Sequence, residues 1–382
     1  MTFIYFDHAA TTPVHPEVVE AMLPLYTQTF GNASSTHSAG REARSVIHQS
    51  RDTLASFIGC APSQIIFTSG GTESDNMALF GAAYARASEG KHIITTQAEH
   101  HAVLHACEHL ERQGFEVTYL PVDITGRVRI ADVEQAIRPD TILISIMYAN
   151  NEVGTIQPIT EIGMMARERG IYFHVDAVQA LGNIRMDLSR LPVDFMSFSA
   201  HKINGPKGIG ALYAANRTRI EPLLYGGNQE RKRRPGTENV AAIAGFAKAV
   251  QILSQDMYEK QQNLEKLRNE MISRVQQQLG SEQAVVNGHP TEHVPHILNM
   301  SFPGVSTETM LMNLDLEGIA AASGSACTSG SLEVSHVLKA MDLPEERMAS
   351  AIRFSFGRGN TLEQIETAAQ KIATIVNRVR ST

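Results

Sequence analysis

The stretch TILISIMY, residues 141–148, is an uncharged apolar run. A run this short, without polar alternation, fits a β-strand covered on both faces, the habit of strands inside a parallel sheet. Upstream, Gln64–Thr68 is strand-like and meets Gly70-Gly71, after which Thr72 to about Ala87 reads as a helix. His92–Thr96 is a strand, a helix follows near 99–113, Phe115–Leu120 is a strand, and 130–138 is helical. Downstream, a helix near 160–169 leads into Ile171–Val175, and Phe195–Ser199 and Gly210–Tyr213 are further strands. This rhythm predicts an α/β fold with a mostly parallel sheet and helices on both sides.

After residue 237 the pattern changes to a long helical region running to about Leu279, with Leu264, Leu267, Met271 and Val275 on one stripe and Gly280 as a C-cap. That helix is expected to leave the first domain and enter a smaller one. The last helix starts at about Thr361, where Thr361 and Gln364 can form a capping box.

At roughly 100–200 residues per domain, 382 residues suggest two domains, or three. With 43% apolar and 19% charged residues, the chain has the make-up of a soluble protein with a real core. A net charge of -7 argues against bulk nucleic-acid binding, and no direct DNA contact is expected. No apolar run approaches the roughly 18 residues a bilayer span needs, so no membrane contact is expected. The start MTFIYFDHAATTP lacks a basic region, and three cysteines (Cys60, Cys107, Cys327) with no CxxC fit a reducing cytoplasm.

Six stretches can carry chemistry. IIFTSGGTES (65–74) runs from a strand through Gly-Gly to Thr72 at a helix start, which is either an anion site or a plain capped turn. SFSAHKINGPKG (197–208) places Lys202 at a strand's end; a lysine there can form an imine or can be a surface residue. In YFHVDAVQ (172–179), Asp176 either meets a cation such as a protonated pyridine nitrogen or caps the next turn. AEHHAVLHACEH (98–109) puts His101, His105 and His109 on one helical face, but three imidazoles on consecutive turns converge poorly on one metal ion, and no metal is expected. His100 lies off that face, at the strand-to-helix loop. QERKRRPGTEN (229–239) holds four consecutive cations, Arg231–Arg234, that suit a phosphate-facing loop, an RNA contact or a solvated loop. AIRFSFGRGN (351–360) buries Arg353 in a strand-like run, where it wants a carboxylate from the protein or from a substrate. Separately, SGSACTSGS (323–331) carries Cys327 among small polar residues, a poor setting for a core thiol.

In their order and spacing these stretches resemble the fold-type-I pyridoxal-phosphate enzymes of the class V aminotransferase group, and within it the cysteine desulfurases of the NifS/IscS type. The blocks SFSAHKINGPKGIGALY (197–213) and SGSACTSGSLEVSHVL (323–338) carry the resemblance, which runs from FDHAATTP (6–13) to the last helix. It implies a seven-stranded-type sheet in a large domain, 15–260, and a smaller α+β domain made of 1–14 with 261–382, carrying a mobile cysteine loop at about 323–335. It implies that Lys202 holds pyridoxal 5'-phosphate as an imine and moves the substrate α-proton. Asp176 would pair with the pyridine nitrogen, His100 would stack on the ring and help move protons, Gln179 would bond the phenolic oxygen and Asn151 would lie beside the ring, near the substrate. Gly71, Thr72, Ser199 and His201 would hold the phosphate, with Thr237 reaching it from the partner subunit of a homodimer. Arg353 would clamp the carboxylate of L-cysteine, and Cys327 would take the sulfur as a persulfide and pass it to an acceptor protein, an iron–sulfur scaffold or a tRNA-thiolating enzyme.

Two positions depart from the family: Ala33 stands where proline is usual, and Ala98 where threonine is frequent. No cationic side chain lies between Ser323 and Leu332, so the deprotonation of Cys327 is expected to occur inside the pocket, through His100 or a substrate group. The alternatives are a class V aminotransferase or selenocysteine lyase without persulfide transfer, and, in a different class, a metal- or RNA-binding module built on the histidines or the cation run.

Overall fold

The computed structural model describes residues 3–324 and 334–381. Strands are numbered along the chain. β1 (Ile4–Tyr5) pairs in parallel with β11 (Ile319–Ala320). The central sheet consists of β2 (Ile65–Thr68), β3 (His92–Thr96), β4 (Glu116–Leu120), β5 (Thr141–Ser145), β6 (Tyr172–Asp176), β7 (Phe195–Ser199) and β8 (Gly210–Ala214), in the spatial order β2-β8-β7-β6-β5-β3-β4. Only β8 runs against its neighbours β2 and β7, so the sheet is mostly parallel. β9 (Val285–Asn287), β10 (Ile297–Ser301) and β12 (Ala351–Ser355) form a separate antiparallel sheet in the order β12-β10-β9.

Strands β5 to β8 are buried at every residue, as helices on both faces require. β4, at the sheet edge, opens on an exposed Glu116, a charge that discourages further pairing. The apolar run that opened the reading is longer than its strand. β5 stops at Ser145, yet the amides of Ile146 and Tyr148 still donate to the carbonyls of His174 and Asp176 at the end of β6. The run thus delivers Met147, Ala149 and Asn151 to the carboxyl end of the sheet, where ligands of open α/β sheets bind.

The helix Gly71–Ala85 lies across the sheet and has no polar stripe among its buried residues, because it is covered almost all round. The helix Val240–Leu279 is 40 residues long and serves two cores. Its first part (Ile243, Phe246, Val250, Leu253) packs with the central sheet. Its later stripe, Leu264, Leu267, Met271 and Val275, packs with Ile4, Phe6, β10, β12 and the last helix, Leu362–Arg380. That last helix begins with the capping box at Thr361 and Gln364.

The basic loop is tied down. Arg231 and Arg233 donate to the Ser63 carbonyl at 2.7 and 2.9 Å, and Arg234 pairs with Glu73 at 2.8 Å. Glu230 is buried and takes a bidentate pair from Arg51 and the amide of Phe67 at 3.0 Å. Glu230, Arg231 and Lys232 all have positive φ (44°, 58°, 67°), a backbone that this network holds in place.

Candidate active site

At the carboxyl end of the sheet, ten of the residues singled out in the sequence line one cleft of about 190 Å³: Gly71, Thr72, His100, Asn151, Asp176, Gln179, Ser199, His201, Lys202 and Arg353. The turn after β7 is a 3-10 helix, Ala200–Lys202, that aims Lys202 back across the strand ends. Its Nζ donates to the carbonyl of Ala10 at 2.7 Å and to that of Ala9. His201 meets Thr11 Oγ1 at 3.1 Å, and its carbonyl accepts from the Thr12 amide at 3.0 Å and hydroxyl at 2.8 Å. The N-terminal segment is therefore one wall of the cleft.

The opposite wall is the start of the helix Gly71–Ala85, whose first amides are free of intrahelical partners. Gly71 lets the loop after β6 approach closely: a Cβ there would stand 2.7 Å from Val178 Cγ2 and force that side chain to move. Asp176 closes β6, accepts from the Val178 amide at 2.9 Å, and is pushed up to about 7 by burial, then by Asp75. Asp75, on the buried side of the helix, is also raised by burial to about 7, and its Oδ1 has no hydrogen-bond partner. One ligand atom each from Asp75, His100 and Asp176 lies within 4.8 Å of the others, so a positive centre among them would be held from three sides.

His100 caps the helix His101–Arg112, its Nδ1 accepting from the Ala102 amide at 3.1 Å. Burial and then the charge of Lys202 lower it to about 4, so it is a neutral ring. Glu99 beside it is fully buried, accepts from Thr96 Oγ1 at 2.8 Å and from the Met147 amide, and rises by burial to about 8. Gln179 donates from Nε2 to the Ala9 carbonyl at 3.0 Å. Arg353, on β12 and 1% exposed, donates to Asp7 Oδ1 at 2.8 Å and to the Asn151 carbonyl at 2.9 Å. Its Nε has no partner. The carboxylate that a buried guanidinium needs is supplied in part by the chain's own Asp7.

Thr237 is exposed and does not line the cleft, and Cys327 lies outside the described residues. The histidine face does not converge. His101 stacks on His105 at 5.0 Å and meets His336 at a tilt of 44°, with ring centres 4.6 Å apart, while His109 turns its edge to Phe80 at 5.5 Å. Sequence reading missed Asp75 and the carbonyls of Ala9 and Ala10. The signal for Asp75 was an acid leading into the apolar part of its helix; for the carbonyls there was none, because any residue offers one.

These burials predict a pH dependence. Asp75, Asp176 and Glu99 have folded-state pKa values raised above the ordinary range near 4. The folded state then binds more protons than the unfolded one, so stability is lost as pH rises toward about 7 to 8. His8, His100, His174 and His201, lowered to about 4 chiefly by burial, act oppositely, but only below their unfolded value near 6.5. Above that pH the three carboxylates outweigh Lys260, which burial lowers to about 8 and which acts oppositely from there toward its unfolded value. Melts of the cofactor-free protein should fall from pH 6.5 to pH 8, and Asp176→Asn should lessen the fall. Equal slopes in the two proteins would rule this account out.

The whole chain has relatives. Residues 4–367 match the family described as aminotransferase class-V. A Bacillus subtilis protein, named provisionally as cysteine desulfurase IscS 1, is 50% identical over 380 residues, 99% of this chain and 100% of that protein. Cysteine desulfurase IscS of Methanosarcina thermophila is 49% identical over 378 residues, 99% of this chain and 93% of that one. A solved structure titled NifS-like protein superposes with a TM-score of 0.93 at 37% identity, covering 99% of this chain and 100% of that one. With a lysine, two buried carboxyls and a helix N-terminus facing one cleft, and with this likeness along its full length, the chain belongs to the class V aminotransferase family and, within it, to the cysteine desulfurases of the NifS/IscS type.

Proposed function

We propose that this protein uses pyridoxal 5'-phosphate to take sulfur from L-cysteine, releases L-alanine, and leaves the sulfur as a persulfide on Cys327 for an acceptor protein. The observation that carries the reading is one cleft lined by Lys202 and by two buried carboxyls, Asp176 and Asp75, the second with an Oδ1 that has no hydrogen-bond partner. The donor set fits the cofactor. Asp176, with Asp75 behind it, suits a protonated pyridine nitrogen; the amides of Gly71 and Thr72, with Ser199 and His201, suit a phosphate. When bound, the cofactor supplies an electron sink for the substrate α-carbon.

The chain's own groups do the rest. Lys202 Nζ anchors the cofactor and carries the α-proton. His100, held neutral, is a flat ring to stack and a weak base, which leaves proton transfer to Lys202. Arg353 orients the substrate carboxylate with the N–H groups that Asp7 and Asn151 do not use. Cys327 Sγ gives up its proton and bonds the substrate sulfur; the Cβ–S bond breaks, and its electron pair takes up that proton, or an equivalent one, as the new C–H bond on Cβ. Atoms and electrons balance without an outside oxidant.

The division into 15–260 and 1–14 with 261–382, a homodimer in which Thr237 completes the partner's phosphate site, a cytoplasmic setting, and an iron–sulfur scaffold or tRNA-thiolating enzyme as acceptor belong to the same reading. Among the described residues no helix is long and apolar enough to cross a membrane. In a single turnover with limiting L-cysteine, alanine and reductant-releasable protein-bound sulfur should appear one for one. Pyruvate, ammonia and free sulfide with no bound sulfur would point instead to a lyase.

A further inference from the structure

Gln179 and His296 meet from segments 117 residues apart in the chain. Gln179 follows β6; His296 directly precedes β10, held there by its carbonyl, which accepts from the Phe356 amide at 2.8 Å. The side chains touch at 3.0 Å between His296 Nε2 and Gln179 Oε1, and both residues are 5% exposed. Because Gln179 Nε2 donates to the Ala9 carbonyl at 3.0 Å, its amide orientation is settled and Oε1 must face the imidazole. An oxygen only accepts, so His296 must carry its hydrogen on Nε2. Its Nδ1 is then an acceptor, and it is buried without a partner. A buried histidine with one unused nitrogen is a poor structural bargain unless the bond it makes has a use.

We propose that His296 is a positioning residue: it locks the Gln179 amide so that the N–H not used on Ala9 stays turned to the cofactor's phenolic oxygen. The inference rests on the reading of Gln179 given above. Without the imidazole donor only the Ala9 bond opposes a half-turn of the amide, and each such turn presents oxygen to oxygen and loses the donor. The groups around His296 are basic: Lys260 on the long helix, His8 in the N-terminal segment, Lys202 after β7 and Arg353 on β12. Burial first, and then the charges of Lys260, Lys202 and Arg353, keep the ring neutral, so the bond persists over the working pH range.

Two measurements test this. In the cofactor-free wild-type protein labelled with ¹⁵N-histidine, His296 should show the neutral Nε2–H tautomer at pH 7; the Nδ1–H tautomer or an imidazolium overturns the proposal without reference to any cofactor. In the holoenzyme, the pH midpoint of the visible absorbance is read. A donor to the phenolic oxygen stabilises the phenolate most when the Lys202 nitrogen beside it has lost its proton, so losing the donor raises the midpoint. Gln179→Leu and His296→Phe should each raise it by about half a unit to one unit, the net worth of one hydrogen bond. His296→Gln, which keeps a donor, should restore it, and His296→Phe should add nothing in the Gln179→Leu background. If Gln179→Leu moves the midpoint and His296→Phe does not, the positioning role is wrong while the reading of Gln179 stands. If neither moves it, both fall.

Discussion

Lys202→Ala should give a protein that no longer keeps its visible absorbance through gel filtration, cannot be reduced by borohydride to a fixed adduct, and makes alanine about 10⁴-fold more slowly or worse. The size follows from two jobs in one atom. Nζ is the only amine lining the cleft among the described residues, so it is both the covalent anchor and the proton carrier. Removing a nucleophile and a general base together exceeds the 10²–10⁴ that a general base alone typically contributes. Lys207, exposed and five residues further on, is the control; Lys207→Ala should keep both colour and rate. A Lys202→Ala protein that still carries borohydride-fixed cofactor would place the imine elsewhere and undo the reading.

Cys327→Ala should abolish protein-bound sulfur and lower alanine release by about 10³-fold or more, the scale on which enzymes lose rate when a covalent nucleophile is removed. The other two thiols cannot stand in. Cys60 is half-buried, and burial pushes its thiol up to about 12, leaving roughly one molecule in 10⁵ as thiolate at pH 7. Cys107 is buried among Val103, Leu110 and Phe115, and burial raises it as well. A persulfide on this protein therefore has one home. Cys60→Ser and Cys107→Ala should retain sulfur transfer. Undiminished turnover of L-cysteine by Cys327→Ala, giving pyruvate, ammonia and free sulfide with no protein-bound sulfur, would convert the proposed desulfurase into a lyase.

These residues differ in how far the sequence exposed them. Lys202, Asp176 and His100 sit where a strand ends and a helix or turn begins, a position that periodicity and a few glycines reveal. The same local grammar marked the cap at Thr361 and the stripe from Leu264 to Val275, both of which the fold contains. The four cations 231–234 looked like a surface able to meet phosphate or RNA. Three of them are spent on Ser63 and Glu73, a fate no local pattern encodes, because the partners lie 161 to 170 residues away. Arg353 was open between substrate and ion pair, and Asp7, 346 residues distant, makes it at least partly the second.

By itself the order of residues determined the alternation of strand and helix, the lysine and carboxylate at two strand ends, and the thiol set among small polar residues, because each is carried by a short contiguous stretch whose chemistry is local. Only the tertiary structure decided which charges go uncompensated and which amide is locked. Asp75 gains its orphaned oxygen, His100 its neutral ring and Gln179 its histidine from chain segments that meet in space alone. The physical reason is desolvation: a titratable group's state depends on how much water the fold removes around it and on what remains within reach, and neither quantity exists until distant parts of the chain have packed.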